Sequence, residues 1–282
     1  MSKPGVVVCP TSLPALPAVL VRLVVFALLA TLLSCKPLPC LRAHVLIRSQ
    51  EDLDRLQEIT CITGTLDIAA DSVLPAVELA SIEEISDGFG VVGTSSVRGI
   101  RMPNLRRLPG GGLSITNNSA LLSFEASQLS IVGGTIVISR NTVLEGLVLP
   151  RIEKIGLGGL QILRNPRIRN VDLPTLTELE GGGMLGGVLS GGGFLVDGCE
   201  RLERIDASRL ASVTGHVAID SNSELRGISL PALQLVKGNL AIRNNPSLPS
   251  CSVQNLIDRL QSGHGVGGQV LNLGNLDPSV CP

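Results

Sequence analysis

Ile138-Ser139-Arg140-Asn141-Thr142-Val143-Leu144-Glu145-Gly146-Leu147-Val148-Leu149-Pro150 holds the pattern that decides the fold. An apolar residue ends a short strand-like run, Asn follows three residues later, and apolar residues recur at Leu144, Leu147, Leu149, Ile152 and Ile155. The same order returns along the chain. Aligning the strand-ending residue gives Ile68, Val91, Ile115, Ile138, Ile162, Val196, Ile219 and Ile242, at steps of 23, 24, 23, 24, 34, 23 and 23. Three residues beyond each lie Asp71, Thr94, Asn118, Asn141, Asn165, Cys199, Asn222 and Asn245. Pro closes the third apolar position at Pro103, Pro150, Pro174 and Pro231, and Gly110, Gly181, Gly215 and Gly238 turn the chain into the next unit.

A period of this length marks a solenoid, in which each unit buries its Leu and Ile side chains only by stacking on its neighbours. The expected fold is an all-β solenoid, a β-helix of about eight 23–24-residue coils with three short sides, roughly 40 Å long at about 4.8 Å per rung. A polar residue in an apolar register needs an internal partner. Asn118, Asn141, Asn165, Asn222 and Asn245 at one corner of successive coils form a ladder that satisfies turn N–H and C=O groups. Cys199 on the same corner reads as a buried structural thiol.

Stacked strands leave open edges, so caps are expected at both ends. Ser49 and Asp52 form an S-x-x-D start for a helix through about Ile59, with Leu53, Leu56 and Ile59 on one face. After the last coil Ser252 begins a second helix carrying Val253, Leu256, Ile257 and Leu260, ending near Gly263. The solenoid with its caps therefore occupies 49–262.

The stretch from Asp52 to Gly90, with its helix, then Cys61-Ile62-Thr63-Gly64-Thr65-Leu66-Asp67-Ile68, then Ile82, Ile85, Gly88 and Phe89, resembles the opening of the receptor L-domain of insulin- and EGF-receptor ectodomains. The Asn and Leu-Pro coils that follow are similar to repeats of microbial surface proteins, including fungal cell-wall glycoproteins and bacterial outer-surface lipoproteins. The resemblance covers about 52 to 262. It implies a right-handed β-solenoid related to leucine-rich repeats, and no catalytic residues. The aromatic-rich ligand-facing positions of receptor L-domains have no counterpart here, so a hormone-like ligand is not carried over.

Lys3 and Arg22 precede an apolar run, Leu23 to Leu33, of signal-peptide length and too short to span a bilayer. Residues 1–34 are therefore expected to direct export. The run ends Leu32-Leu33-Ser34-Cys35, which resembles a bacterial lipobox and makes Cys35 the expected lipidation site and first mature residue. The alternative is an ordinary signal peptide, with Cys35 as a disulfide partner and the protein secreted. Residues 35–48 then form an N-terminal tether. In an oxidising compartment Cys40 pairs with Cys61 and Cys251 with Cys281, each bridge restraining one end of the array and tying the tail 263–282.

With 23 basic and 24 acidic side chains the net charge is −1, and no basic stretch is present, which argues against nucleic-acid binding. The chain has four Phe and neither Trp nor Tyr, unlike sugar platforms or interfaces built on aromatic anchors. No metal set and no cofactor motif stand out: CxxC is missing, and His44, His216 and His264 are scattered. Glu83 with Glu84, and Glu178 with Glu180, read as solvated surface carboxylates, and His216 as an exposed strand residue. The 34-residue step holds a Gly-rich insert, 181–193, without the Lys-Ser/Thr of a phosphate loop. It reads as an extruded loop.

What remains is surface. Outward residues flank the aligned positions: Asp67, Ser114, Val137, Gln161, Ala218 and Ala241 on one side, Ala69, Thr116, Ser139, Asp197, Asp220 and Arg243 on the other. Ser114, Gln161, Asp197, Asp220 and Arg243 are the candidate binding face. The function expected is non-catalytic recognition or adhesion by an exported, lipid-anchored protein at the cell surface or outer membrane. Its partner would be a protein or an envelope polymer, with no cofactor. The alternative is a structural envelope spacer without a specific ligand.

Overall fold

The computed structural model describes residues 40–182 and 192–277. The chain winds as a β-solenoid whose strands pair in parallel with the coils before and after. One side is a ten-stranded sheet of two-residue strands, from Cys40–Leu41 to Gly265–Val266. The second is a ten-stranded sheet of longer strands, from Val45–Ile47 to Val270–Leu273. The third side carries four strands (Ala76–Glu78, Gly99–Arg101, Ser123–Glu125, Gly146–Val148) and then, as a separate sheet, three (Asn170–Asp172, Arg204–Asp206, Gly227–Ser229).

The register matches the sequence period. Ile68, Val91, Ile115, Ile138, Ile162, Val196, Ile219 and Ile242 are Cα partners from rung to rung along the long sheet. The long step between Ile162 and Val196 leaves this pairing intact, because the insert is absorbed at the corner before the strand Gly193–Asp197. Alternation does the rest: in Gly112–Thr116, Leu113 and Ile115 point inward while Ser114 and Thr116 point out.

Each coil contributes inward residues from all three sides. In one coil these are Ile136 and Ile138, then Leu144 and Leu149, then Ile152 and Ile155, all at most 2% exposed. Burying such a side chain stabilises by about 1.5–3 kcal/mol, and nearly all of that comes from the adjoining coils. Phe89 and Phe124 bridge two sides of the core with ring centroids 6.2 Å apart.

Corners are set by backbone needs. The residue before each ladder position is left-handed, at Asn117, Arg140, Arg164, Ser221 and Asn244 with φ between 54° and 58°, and at Gly93, Gly198 and Gly274. This single αL residue redirects the chain from the long sheet toward the third side. At the opposite corner coils approach so closely that side chains are excluded: Gly193 has φ 136°, and a Cβ there would lie 2.0 Å from the His216 carbonyl oxygen.

The ends differ from the expected boundaries. Cys40–Leu41 and Val45–Ile47 pair with Cys61–Ile62 and Thr65–Ile68, so residues 40–48 form a rung of the solenoid instead of a tether. Likewise Gly265–Val266 and Val270–Leu273 extend both ten-stranded sheets into the stretch expected as a tail. Helix α1, Gln50–Asp54, sits where the first coil would have its third side, and turns continue from Leu53 to Ile59 instead of the longer helix. Asp52 accepts the backbone N–H groups of Arg48 (2.9 Å) and Ser49 (3.0 Å), which hold its carboxyl below the usual range. Helix α2, Ser250–Ser262, fills the same place in the last coil. It starts two residues before Ser252, with Pro249 as its N-cap, because Pro fits the non-helical residue that precedes a first turn.

Candidate functional site

The ladder is the most highly organised group of polar side chains among the described residues. Asn118, Asn141, Asn165, Asn222 and Asn245 are fully buried. Asn118 donates from Nδ2 to Asn141 Oδ1 (2.9 Å) and to the Val91 carbonyl (3.0 Å). Asn141 repeats this with Asn165 Oδ1 (3.0 Å) and Ile115 O (2.9 Å). Each Oδ1 also takes the backbone N–H of the preceding rung, as Asn165 does for Asn141 (3.1 Å). Thr94 caps the series by giving its N–H and its hydroxyl to Asn118 Oδ1. Asn275 closes it, accepting from Asn245 N and Nδ2 and donating to Ile242 O at 2.7 Å. Sequence reading missed Asn275 because helix α2 stretches the step from Asn245 to 30 residues. The signal available was Gly274-Asn275, a residue able to turn left-handed followed by Asn, as at the other corners.

Cys199 interrupts the amides. Its N–H still reaches Asn222 Oδ1 (3.0 Å), and burial pushes the thiol up to about 11 against hydrogen bonds from Asn165. It is a free, buried cysteine. A thiol so far from ionising is a poor nucleophile at neutral pH.

The five residues of the candidate binding face all lie half-buried on the outer surface of the long sheet, in two columns. Ser114 and Gln161 share one column, two rungs apart, with Val137 between them. Asp197, Asp220 and Arg243 occupy three successive rungs of the other. Only this second set is brought into mutual contact. Arg243 Nε lies 2.6 Å from Asp220 Oδ2, and Asn244 and Ser221 both donate to Asp220 Oδ1. Burial opposes ionisation of Asp220, but these hydrogen bonds outweigh it and its carboxyl is lowered. Burial, and then the charge of Asp220 one rung away, raise the carboxyl of Asp197. Ala69, expected to face outward, is buried instead.

At the other end of the same face, glycines at 88, 90 and 112 leave a shallow depression of about 350 Å³ bordered by Thr65, Asp67, Asp87 and Ser114. Asp67 lies across Gly90, where a Cβ would come within 2.1 Å of its Oδ1. Thr65 donates its hydroxyl to Asp67 at 3.0 Å. These polar groups engage one another, and the depression is open. Toward the last rungs the face turns apolar, ending in Leu271 and Leu273, 40% and 68% exposed.

The remaining sequence candidates separate. Glu83 and Glu84 pair with Arg106 (3.9 Å) and Arg107 (2.5 Å), and Lys154 bridges Glu178 (3.0 Å) and Glu180 (3.5 Å), each across adjacent rungs. Such exposed pairs contribute little individually. His216 is half-buried, not exposed: its Nδ1 accepts the Asn239 N–H at 2.8 Å, which ties two rungs together. Among the described residues no group of three or more His, Cys, Asp or Glu is placed to hold a metal ion.

Cys40 and Cys61 are disulfide-bonded across the first two rungs with Cα atoms 4.6 Å apart. Cys251 is also disulfide-bonded, while Cys281 lies outside the described residues. So do Cys35 with the whole of 1–34, and residues 183–191 of the insert. The near end of the insert is fastened: Gly181 N–H meets Thr214 Oγ1 at 2.9 Å, and the Thr214 hydroxyl donates to Gly181 O at 3.0 Å. No family model, curated protein or solved structure matches this chain.

Proposed function

We propose that this protein is an exported, non-catalytic recognition or adhesion module of the cell surface. Its partner, a protein or an envelope polymer, is held on the outer face of the long sheet. The observation that carries the reading is the continuity of that face. Ten strands stack in unbroken register there and present two straight columns of outward positions, half-buried over the middle rungs, while the third side is split into two short sheets. An extended face of this kind suits an extended partner, because contacts repeat at the rung spacing. The resemblance to receptor L-domains and to the repeats of microbial surface lipoproteins supports the same reading, with Cys35 as the membrane anchor.

Palmitate labelling of wild-type and Cys35→Ala protein in a bacterial host, with protease shaving of intact cells, tests the location. Label lost with Cys35 and protein removed by shaving support a surface lipoprotein; unlabelled protein in the medium makes it a secreted factor. For the face, Ser114→Arg and Gln161→Arg should abolish adhesion to isolated envelopes at an unchanged melting temperature. A spacer is the second reading, favoured by the continuous core. It predicts tolerance of both substitutions and sensitivity to removal of one whole coil.

A further inference from the structure

Among the described residues the last strand of the third side, Gly227–Ser229, pairs with Arg204–Asp206 on one flank only. Ser229 gives its carbonyl to the Ala207 N–H at 3.0 Å, which fixes the alternation: residues 227 and 229 face the sheet, and the N–H and C=O of Ile228 face away from it. In the next coil the place of a fourth strand is taken by helix α2, which among the described residues gives this edge one hydrogen bond, from Arg259 to the Leu230 carbonyl. Between strand edge and helix lies a half-enclosed groove of about 240 Å³. Its accessible apolar lining is Ile228 with the edge of Leu256, over Leu248 and Val253, which are buried beneath. Ile228 is half-exposed there, whereas Val171 and Ile205, its equivalents in the two preceding rungs, are 1% and 0% exposed.

The helix side of the groove is polar. Ser252, Asn255 and Arg259, at helical spacing, line it. Arg259 is the single charged residue of the lining, and its Nη2 donates to the Leu230 carbonyl at 2.7 Å, which aims the guanidinium along the strand edge. Its remaining donors are available to an anion. An open main-chain edge, an apolar trough and a rim cation between a strand and a helix form the geometry of strand addition.

We infer that this groove binds an extended peptide with apolar side chains and a free C-terminal carboxylate. The peptide adds a strand to Gly227–Ser229, seats one side chain on Ile228 and Leu256, and sets its carboxylate against Arg259. The site is separate from the outer face of the long sheet and does not depend on the function proposed for that face.

The test uses the mature chain and a library of heptapeptides with free C-termini, their last four positions randomised among Val, Ile, Leu, Phe, Thr and Ser. An enriched peptide is expected to bind saturably and to shift amide resonances of Gly227 to Leu230 and of α2. N-methylation of its alternate amides should weaken binding at least tenfold. C-terminal amidation should weaken binding to wild type several-fold and leave binding to Arg259→Gln unchanged. Absence of enrichment overturns the inference. So do shifts confined to other surfaces, or affinity indifferent to N-methylation, which would show side-chain capture without strand addition. Because resonance mapping is done on wild-type protein, the outcome does not hang on the folding of a variant.

Discussion

The Oδ1 of Asn141 accepts two hydrogen bonds from Asn118, one from its Nδ2 at 2.9 Å and one from its backbone N–H at 3.1 Å. One side-chain oxygen thus satisfies both the turn and the amide of the rung before it. Asn141→Leu should strip partners from these two donors and from the Ile115 carbonyl, all buried. At about 1–3 kcal/mol per unsatisfied buried group, the loss should exceed about 2 kcal/mol in chemical denaturation. A loss below about 0.5 kcal/mol would show that the corner does not depend on the ladder.

Cys199→Asn should stabilise. The site already has an αL residue before it, Gly198 at φ 62°, and Asn222 Oδ1 within 3.0 Å of the 199 N–H. An amide there would restore the missing rung, worth about 1 kcal/mol as one added buried hydrogen bond. In the native protein the thiol, pushed up to about 11, should stay unmodified by a thiol reagent at pH 7.5 and react on unfolding. Rapid native labelling would contradict its burial.

Arg140 holds φ 54° without being glycine. Arg140→Gly should raise stability by about 0.5–1 kcal/mol, since the αL cost for an L-residue exceeds the entropic cost of glycine at such a position. Arg140→Val should lower it, because a β-branched residue resists that region. Thermal denaturation of the pair gives opposite signs if the corner is as described.

Asp197 carries the like-charge neighbour. Its carboxyl is raised above the ordinary 3.8 by burial and by Asp220, so the folded state binds more protons than the unfolded one just above that pH. Its contribution to stability therefore falls as pH rises through that window. Asp197→Asn should stabilise at pH 7 by a few tenths to about 1 kcal/mol, the range for opposed like charges on adjacent strands. The gain should vanish below about pH 3, where the Asp197 carboxyl is protonated and carries no more charge than the amide that replaces it. An equal gain at both pH values would assign the effect to packing.

Cys40 and Cys61 are register partners on the first two rungs. Cys40→Ala with Cys61→Ala should cost on the order of 3 kcal/mol by loop entropy. Hydrogen exchange should speed up first in Val45–Ile47, the outermost long strand. Uniform acceleration along the chain would mean that the coils unfold as one unit.

The solenoid was legible because its period is written in residues that must be buried: every aligned Ile and Val from 68 to 242 falls on one inner column. The Asn corner was legible for the same reason, as a polar residue in an apolar register. The end rungs were not. Cys40–Leu41 and Gly265–Val266 are two-residue strands with no periodic neighbour on one side, so only pairing reveals them. The αL elbows escaped notice because Asn117, Arg140, Arg164, Ser221 and Asn244 share a backbone conformation and no side-chain type. Outward residues were placed by alternation alone, which located the columns but not the contacts within them. Asp220 and Arg243 meet because their columns coincide, a fact of register.

Three discontinuities fall close together: the amide chain stops between Asn165 and Cys199, the third side divides between Gly146–Val148 and Asn170–Asp172, and the Gly-rich insert enters before Gly193. Under tension applied along its axis the rod therefore has a predetermined seam. Pulled from its two ends, the solenoid should part there first, extending by stages into two shorter segments, one holding Asn118 to Asn165 and the other Asn222 to Asn275.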